Sequence, residues 1–277
     1  MAMPRYKLLA LDVDGTLLTS RATISPATRA ALGRARARGM LVTLATGRRL
    51  ATVQAQVDDL GIALPLILQG GAQIVDPRSG EALYSNPLPP AQVSAAVRIA
   101  VEEGVQPILY EDRVLEQRLL LGPPERDSPP MGPYVAARPE LVRRLSYEQL
   151  IATGAALQLA VIDALPAARR VAARLRLAHC RTLVSAYSAG LDAYFLEVFH
   201  ETCSKGEALR HLASYLDIPL AQVVAVGDNY NDEEMLRVAG LGVAMANAEP
   251  EILAIADKVV PSNDEDGIAA LIDELLH

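Results

Sequence analysis

Tyr6-Lys7-Leu8-Leu9-Ala10-Leu11-Asp12-Val13-Asp14-Gly15-Thr16 runs apolar and then stops on two carboxylates, a glycine and a hydroxyl. It reads as a buried strand that delivers charge at its carboxyl end. Side chains at i and i+2 of a strand point the same way, so Asp12 and Asp14 can face one pocket, and Gly15 lets the backbone turn beside them. Two carboxylates held that close invite a divalent cation, and magnesium prefers hard oxygen ligands shared between carboxylates and a substrate phosphate. Asp-x-Asp-Gly is also ordinary turn chemistry, so the stretch needs partners further along. A calcium loop of the EF-hand type would want Gly at 17 and Glu at 23, where this chain has Leu17 and Thr23.

Outward from that stretch, strand and helix alternate. Ser25-Pro26 reads as an N-cap followed by proline at the first helical position, and the Ala/Arg-rich run closes at Gly39. A second strand, Met40 to Ala45, ends in Thr46-Gly47-Arg48; a helix over about 50–60 and a third strand over 65–68 follow. Such alternation predicts a parallel sheet covered on both faces, with ligands bound beyond the carboxyl ends of its strands. After a hairpin around Asp76 to Gly80, the break Pro87-Leu88-Pro89-Pro90 opens a stretch with its own rhythm. It has helices near 91–103 and 166–177, strands near 107–110, 113–116, 157–162, 181–186 and 194–199, and a Pro/Gly-rich loop over 121–133. This reads as a separate α+β domain inserted into the first. The α/β alternation resumes at Ser204-Lys205-Gly206, and the buried strand Val223 to Val226 ends in Gly227-Asp228-Asn229-Tyr230-Asn231-Asp232.

Four strand tips or helix starts therefore carry, in order, Asp-x-Asp-Gly-Thr, Thr-Gly-Arg, Lys-Gly and Gly-Asp-x-x-Asn-Asp. That ordered set resembles the haloacid dehalogenase (HAD) superfamily of phosphohydrolases, and the long insertion resembles its Cof-type branch with a large α/β cap. The resemblance implies an α/β fold: a Rossmann-like core with a parallel sheet from residues 1–86 and 200–277, and a cap from 87–199. It implies a magnesium-dependent phosphatase of small phosphorylated metabolites, with sugar phosphates as the leading class. Asp12 would be the nucleophile, Asp14 the general acid-base and Lys205 a fixed positive charge. Mg2+ would be held by Asp12, the main-chain carbonyl of Asp14 and Asp228, with Asp232 supporting that shell. Val13, Thr46, Gly47 and Asn231 would meet the substrate. The family commonly has Asn-Gly-Ala after the third strand, whereas this chain reads Gln69-Gly70-Gly71-Ala72, so Gly70 stands where an amide is expected.

Composition narrows the alternatives. At 277 residues, 51% hydrophobic and with net charge -7, the chain is long enough for two cores and is not the basic surface that nucleic acid requires. Two cysteines, Cys180 and Cys203, suggest neither a disulfide framework nor a zinc site, and His200-Glu201 alone is too few ligands. With no signal-peptide pattern and no apolar run of membrane length, a cytoplasmic protein with a small phosphorylated substrate, and neither nucleic acid nor membrane as partner, is expected. Lys205 is one of only three lysines, which makes its position informative. Arg169, Arg170, Arg174 and Arg176 read as a solvated helix face, while Tyr110, Glu111, Asp112, Arg113 and Arg118 are candidates for selectivity. A phosphomutase, or a phosphatase dedicated to a nucleotide or cofactor phosphate, shares every core motif. A non-catalytic phosphate sensor or partner-binding protein would be expected to have lost Asp12, Asp14, Lys205 or Asp228, and all four are present.

Overall fold

The computed structural model describes residues 5–115, 117–186 and 192–277. It divides into two compact units, Met1–Tyr84 with Ser204–His277, and Ser85–Cys203.

The first unit begins with β1 (Leu8–Leu11), α1 (Pro26–Ala37), β2 (Leu41–Leu44), α2 (Leu50–Leu60), β3 (Leu66–Leu68) and the pair β4 (Gln73–Val75) and β5 (Ala82–Ser85). The second unit supplies α3 (Pro90–Glu102), β6 (Ile108–Tyr110), β7 (Leu119–Leu121), α4 (Met131–Ala136), β8 (Val142–Arg144) and α5 (Tyr147–Ile151). It ends with β9 (Gln158–Asp163), α6 (Leu165–Leu177), β10 (Cys180–Ala186) and β11 (Tyr194–His200). The chain then completes the first unit with α7 (Lys205–Tyr215), β12 (Val223–Gly227), α8 (Glu233–Val238), β13 (Leu241–Met245), α9 (Pro250–Ile255), β14 (Lys258–Val260) and α10 (Gly267–Leu276).

In the first unit the sheet order is β14-β13-β12-β1-β2, and every pairing is parallel. β1 sits between β12 and β2, which explains why all four of its residues are buried with no alternation: helices cover both faces. The register pairs Leu11 with Val226 on one side and Leu44 on the other, so the three strands end almost level. Asp12 N–H donates to Val226 O at 2.9 Å and Ala45 N–H to Leu11 O at 2.8 Å, carrying the ladder one residue further. The polar residues that follow these strands are thereby delivered to one edge of the sheet. α1 begins as its sequence dictates, with Ser25 Oγ accepting the Thr28 N–H at 3.0 Å and Pro26 in the first turn.

The second unit is a six-stranded sheet, β10-β11-β9-β6-β7-β8. One face is covered by α3, α5 and α6, where Val93, Val97, Val171 and Leu175 meet Leu159 and Leu196. On the other face Met131 and Tyr134 of α4 pack on Ile108, Leu119 and Ile162.

Three readings of this unit are corrected. The strand expected over 113–116 is absent at 113–115; the strand that follows β6 is β7, which pairs Leu121 with Ile108 and is the uninterrupted apolar run Leu119-Leu120-Leu121. Residue 116 lies outside the described residues. The stretch 121–133, read as loop, includes the start of α4, since Gly132 and Pro133 lie in the first turn, where proline costs no helical hydrogen bond. Tyr110 is not a surface selectivity residue. It is 3% exposed, and its hydroxyl lies 2.6 Å from that of Tyr134. On α6, Arg170 and Arg174 pair with Glu103, and Arg174 also with Glu102. No helix among the described residues is long and apolar enough to cross a membrane.

Candidate active site

Asp12 follows β1 directly and is 5% exposed. Lys205 opens α7, whose N-cap Ser204 accepts the Glu207 N–H at 3.0 Å, and its side chain is wholly buried. Its ammonium donates to Asp12 Oδ1 and to Asp232 Oδ1, both at 2.6 Å. The second oxygen of Asp232 accepts the main-chain N–H groups of Asp228 and Asn229, each at 3.1 Å. Asp232 is therefore fixed at both oxygens and in turn shapes the turn after β12. Asp228 Oδ1 accepts the Thr16 hydroxyl at 2.7 Å, tying that turn to the one after β1.

Two glycines make this convergence possible. Gly15 has φ +85°, and a Cβ there would sit 2.3 Å from Asp228 Oδ2. Gly71 has φ +102°, and a Cβ would sit 2.1 Å from Ser204 O, so only glycine lets the loop after β3 lie against the start of α7. This is the glycine that the family's Asn-Gly-Ala also has; the departure lies at Gly70, which has φ +66°. Gln69 itself is 3% exposed, with Nε2 3.4 Å from Gln73 Oε1, so its amide is turned into the unit's interior.

The electrostatics are unbalanced. Asp12, Asp228 and Asp232 each offer a carboxylate oxygen within 4.8 Å of the others, against the single ammonium of Lys205. Burial first, then the neighbouring Asp232 and Asp228 charges, push the Asp12 carboxyl well above its usual range against the opposing pull of Lys205. Burial and the Asp232 charge raise Asp228 to about 6, although the Thr16 hydrogen bond works against them. Burial alone would lower Lys205, but the facing carboxylates of Asp12 and Asp232 overcome it and hold the ammonium protonated. Excess negative charge on hard oxygen donors is what a divalent cation offsets, so the residues present fit one.

Asp14 is placed differently. Its carboxylate is 59% exposed and lies outside the buried triad, engaged by Arg48 through Nε at 2.8 Å and Nη2 at 2.5 Å. Val13 is wholly buried, and its carbonyl accepts the Leu18 N–H at 2.9 Å. Thr46 is buried; its Oγ1 accepts the Arg48 N–H at 3.1 Å and keeps its own proton to donate. Gly47 is exposed and lies two residues ahead of Arg49, the N-cap of α2. Asn231 is half-buried in the turn Tyr230–Asp232. His200 is occupied by Thr202 at 2.9 Å, and no second acidic or histidine cluster of three occurs among the described residues.

Sequence reasoning gave no role to Arg48, Thr16 or Gly71. Arg48 stood inside the quoted Thr-Gly-Arg, but nothing in that spacing shows which carboxylate it would reach.

The haloacid dehalogenase-like hydrolase family matches residues 9–272. The chain is 30% identical to phosphatase YwpJ of Bacillus subtilis, over 98% of this chain and 100% of that protein. It is also 30% identical to the B. subtilis 5-amino-6-(5-phospho-D-ribitylamino)uracil phosphatase YwtE, over 98% of each. Among solved structures, a haloacid dehalogenase-like hydrolase from Bacteroides thetaiotaomicron superposes with TM-score 0.78 at 26% identity, covering 98% of this chain and 99% of that one. The HAD subclass IIB sugar phosphatase BT4131 superposes with TM-score 0.76 at 25% identity, covering 97% and 98%. With the family matched over nearly its whole length, on a parallel sheet whose strand tips gather the expected aspartates and lysine, the chain belongs to the haloacid dehalogenase-like hydrolases, as a phosphatase-type enzyme.

Proposed function

We propose that the protein is a magnesium-dependent phosphomonoesterase acting on small phosphorylated metabolites, with sugar and polyol phosphates as the leading class, through an aspartyl-phosphate at Asp12. The observation that carries this reading is the buried Asp12 held by Lys205 beside Asp228 and Asp232. The relatives support the substrate class: one acts on a phosphoribityl compound and one structural neighbour is a sugar phosphatase.

Phosphate monoesters hydrolyse so slowly that enzymes supply acceleration of up to ~10²¹, which demands that nucleophile, charge neutralisation and proton transfer coincide. In the proposed sequence a carboxylate oxygen of Asp12 attacks phosphorus, the bond to the leaving oxygen breaks, and Asp14 gives that oxygen its proton. Asp14 then takes a proton from water, the water oxygen attacks phosphorus, and the bond to Asp12 breaks to regenerate the carboxylate and release phosphate. Lys205 orients Asp12, while the Thr46 hydroxyl, the main-chain N–H groups of Val13 and Gly47 and the Asn231 amide are assigned to the phosphoryl oxygens. Asp12, Asp228 and the main-chain carbonyl of Asp14 would hold the metal, with Asp232 fixing the turn that carries Asp228. When bound, Mg2+ would neutralise charge between the anionic nucleophile and the anionic phosphate. The unit Ser85–Cys203 is assigned the part of the inserted cap that governs selectivity.

The test is hydrolysis of p-nitrophenyl phosphate, then of a panel of sugar, polyol, nucleotide and cofactor phosphates, with magnesium and with EDTA. Metal-dependent release of phosphate, strongest on sugar or polyol esters, is expected. Metal-independent turnover, or none on the whole panel, overturns the reading.

A further inference from the structure

The strand tips place one side chain where the proposed chemistry needs it and where neither the motifs nor the relatives' names assign it a task. Arg48 lies between β2 and α2, and its backbone is pinned at both ends: its N–H donates to Thr46 Oγ1 at 3.1 Å, and its carbonyl accepts the Gln69 N–H at 3.0 Å. Its guanidinium then splits its work. Nη1 donates to Thr52 O in the first turn of α2 at 3.2 Å, while Nε and Nη2 form a two-point fork on the two oxygens of Asp14. We propose that Arg48 is the positioning residue of the general acid-base, fixing the direction of the otherwise exposed Asp14 carboxylate toward the leaving oxygen.

Three considerations carry this. Asp14 is more than half exposed, so without a partner its side chain would sample several rotamers, whereas general acid catalysis needs a donor within hydrogen-bond reach of one atom. A pair this exposed adds little to folding, so stability does not account for the arrangement. The fork also depends on arginine: a planar guanidinium can hold a carboxylate with two N–H groups while a third anchors it to the helix, and an ammonium cannot. Asp14 in turn strengthens the hold of Arg48 on its own proton, so the guanidinium stays charged.

The inference rests on the phosphatase reading, and the leaving group separates the two. An alkyl ester departs as a strongly basic alkoxide that needs the proton of Asp14; p-nitrophenolate is stable without one. The experiment compares kcat/KM, which reports the step that breaks the ester bond, for p-nitrophenyl phosphate and for the alkyl phosphate that the wild type hydrolyses best. Since general acid catalysis contributes about 10²–10⁴-fold, Arg48→Ala should lower kcat/KM by about 10²-fold on the alkyl ester and by less than about 10-fold on the aryl ester. Arg48→Lys should show the same selective loss in smaller degree, and it is read in place of Arg48→Ala if circular dichroism shows that variant unfolded. In an Asp14→Asn background, Arg48→Ala should add no further loss on the alkyl ester. Equal losses on both esters, or an additive loss in the Asp14→Asn background, would overturn the role of Arg48 and leave the phosphatase reading standing. A wild type that hydrolyses neither ester overturns the phosphatase reading and the role together.

Discussion

Replacing Asp228 by Asn removes one charge from the crowded triad while keeping the shape that Gly15 and Thr16 are fitted to. Burial and the neighbouring Asp232 raise Asp228 from 3.8 to about 6 in the folded protein. A carboxyl raised on folding binds its proton more tightly in the native than in the unfolded state. Its stabilising contribution is therefore complete below about pH 4 and is lost as pH rises through about 6. A shift of roughly two units, at about 1.4 kcal/mol each, makes the neutral-pH penalty about 3 kcal/mol without metal. Asn carries no such penalty, and its amide oxygen can still accept from Thr16 at the position Asp228 Oδ1 now holds. Chemical denaturation in EDTA, followed by circular dichroism, should find Asp228→Asn about equal to the wild type near pH 4 and more stable by about 2–3 kcal/mol at pH 8. Magnesium at pH 8 should stabilise the wild type and leave the variant almost unmoved. A stability difference that does not change with pH would refute the charge argument. An equal magnesium response in both proteins would refute the metal assignment of Asp228.

Gly15→Ala forces a Cβ to within 2.3 Å of Asp228 Oδ2 at a backbone angle that L side chains avoid, so it should cost about 1–3 kcal/mol and at least tenfold in activity. A variant as stable and active as the wild type would show that the close approach is not required. Lys205→Met leaves Asp12 and Asp232 buried without their cation, and breaking such a pair costs about 3–5 kcal/mol. The loss should be larger at pH 8 than at pH 5, where protonation relieves the repulsion, and denaturation curves at the two pH values check the sign.

Most of the core fold was legible because parallel strands buried on both faces announce themselves as short apolar runs, and each run here ends in a polar tip. The order of those tips located Asp12, Lys205, Asp228 and Asp232, which the structure brings together. The second unit was harder to read. β7 was displaced because Arg113 to Leu115 lies nearer to β6 than the true partner Leu119–Leu121 does. The short β8 and α5 carry too few residues for a period to show, although Ser146 and Gln149 form the capping box that starts α5. In the site, the Arg48 fork was illegible for a different reason. Sequence says that a cation follows Thr46-Gly47, but the side-chain direction that carries it to Asp14 is set by the Thr46 and Gln69 hydrogen bonds and by Thr52. Likewise the close approach of Gly71 to Ser204 joins residues far apart in the chain, and nothing in the local spelling points to it.

Transfer of the phosphoryl group to Asp12 is the central claim, and trapping it is the most direct test. Enzyme mixed with a turned-over phosphate ester and magnesium, quenched in acid and digested, should yield one phosphorylated peptide spanning Asp12, with the bond cleaved by hydroxylamine as an acyl phosphate requires. Asp12→Asn should give a folded protein with neither label nor turnover. A label on another residue, or undiminished turnover by Asp12→Asn, would contradict the account.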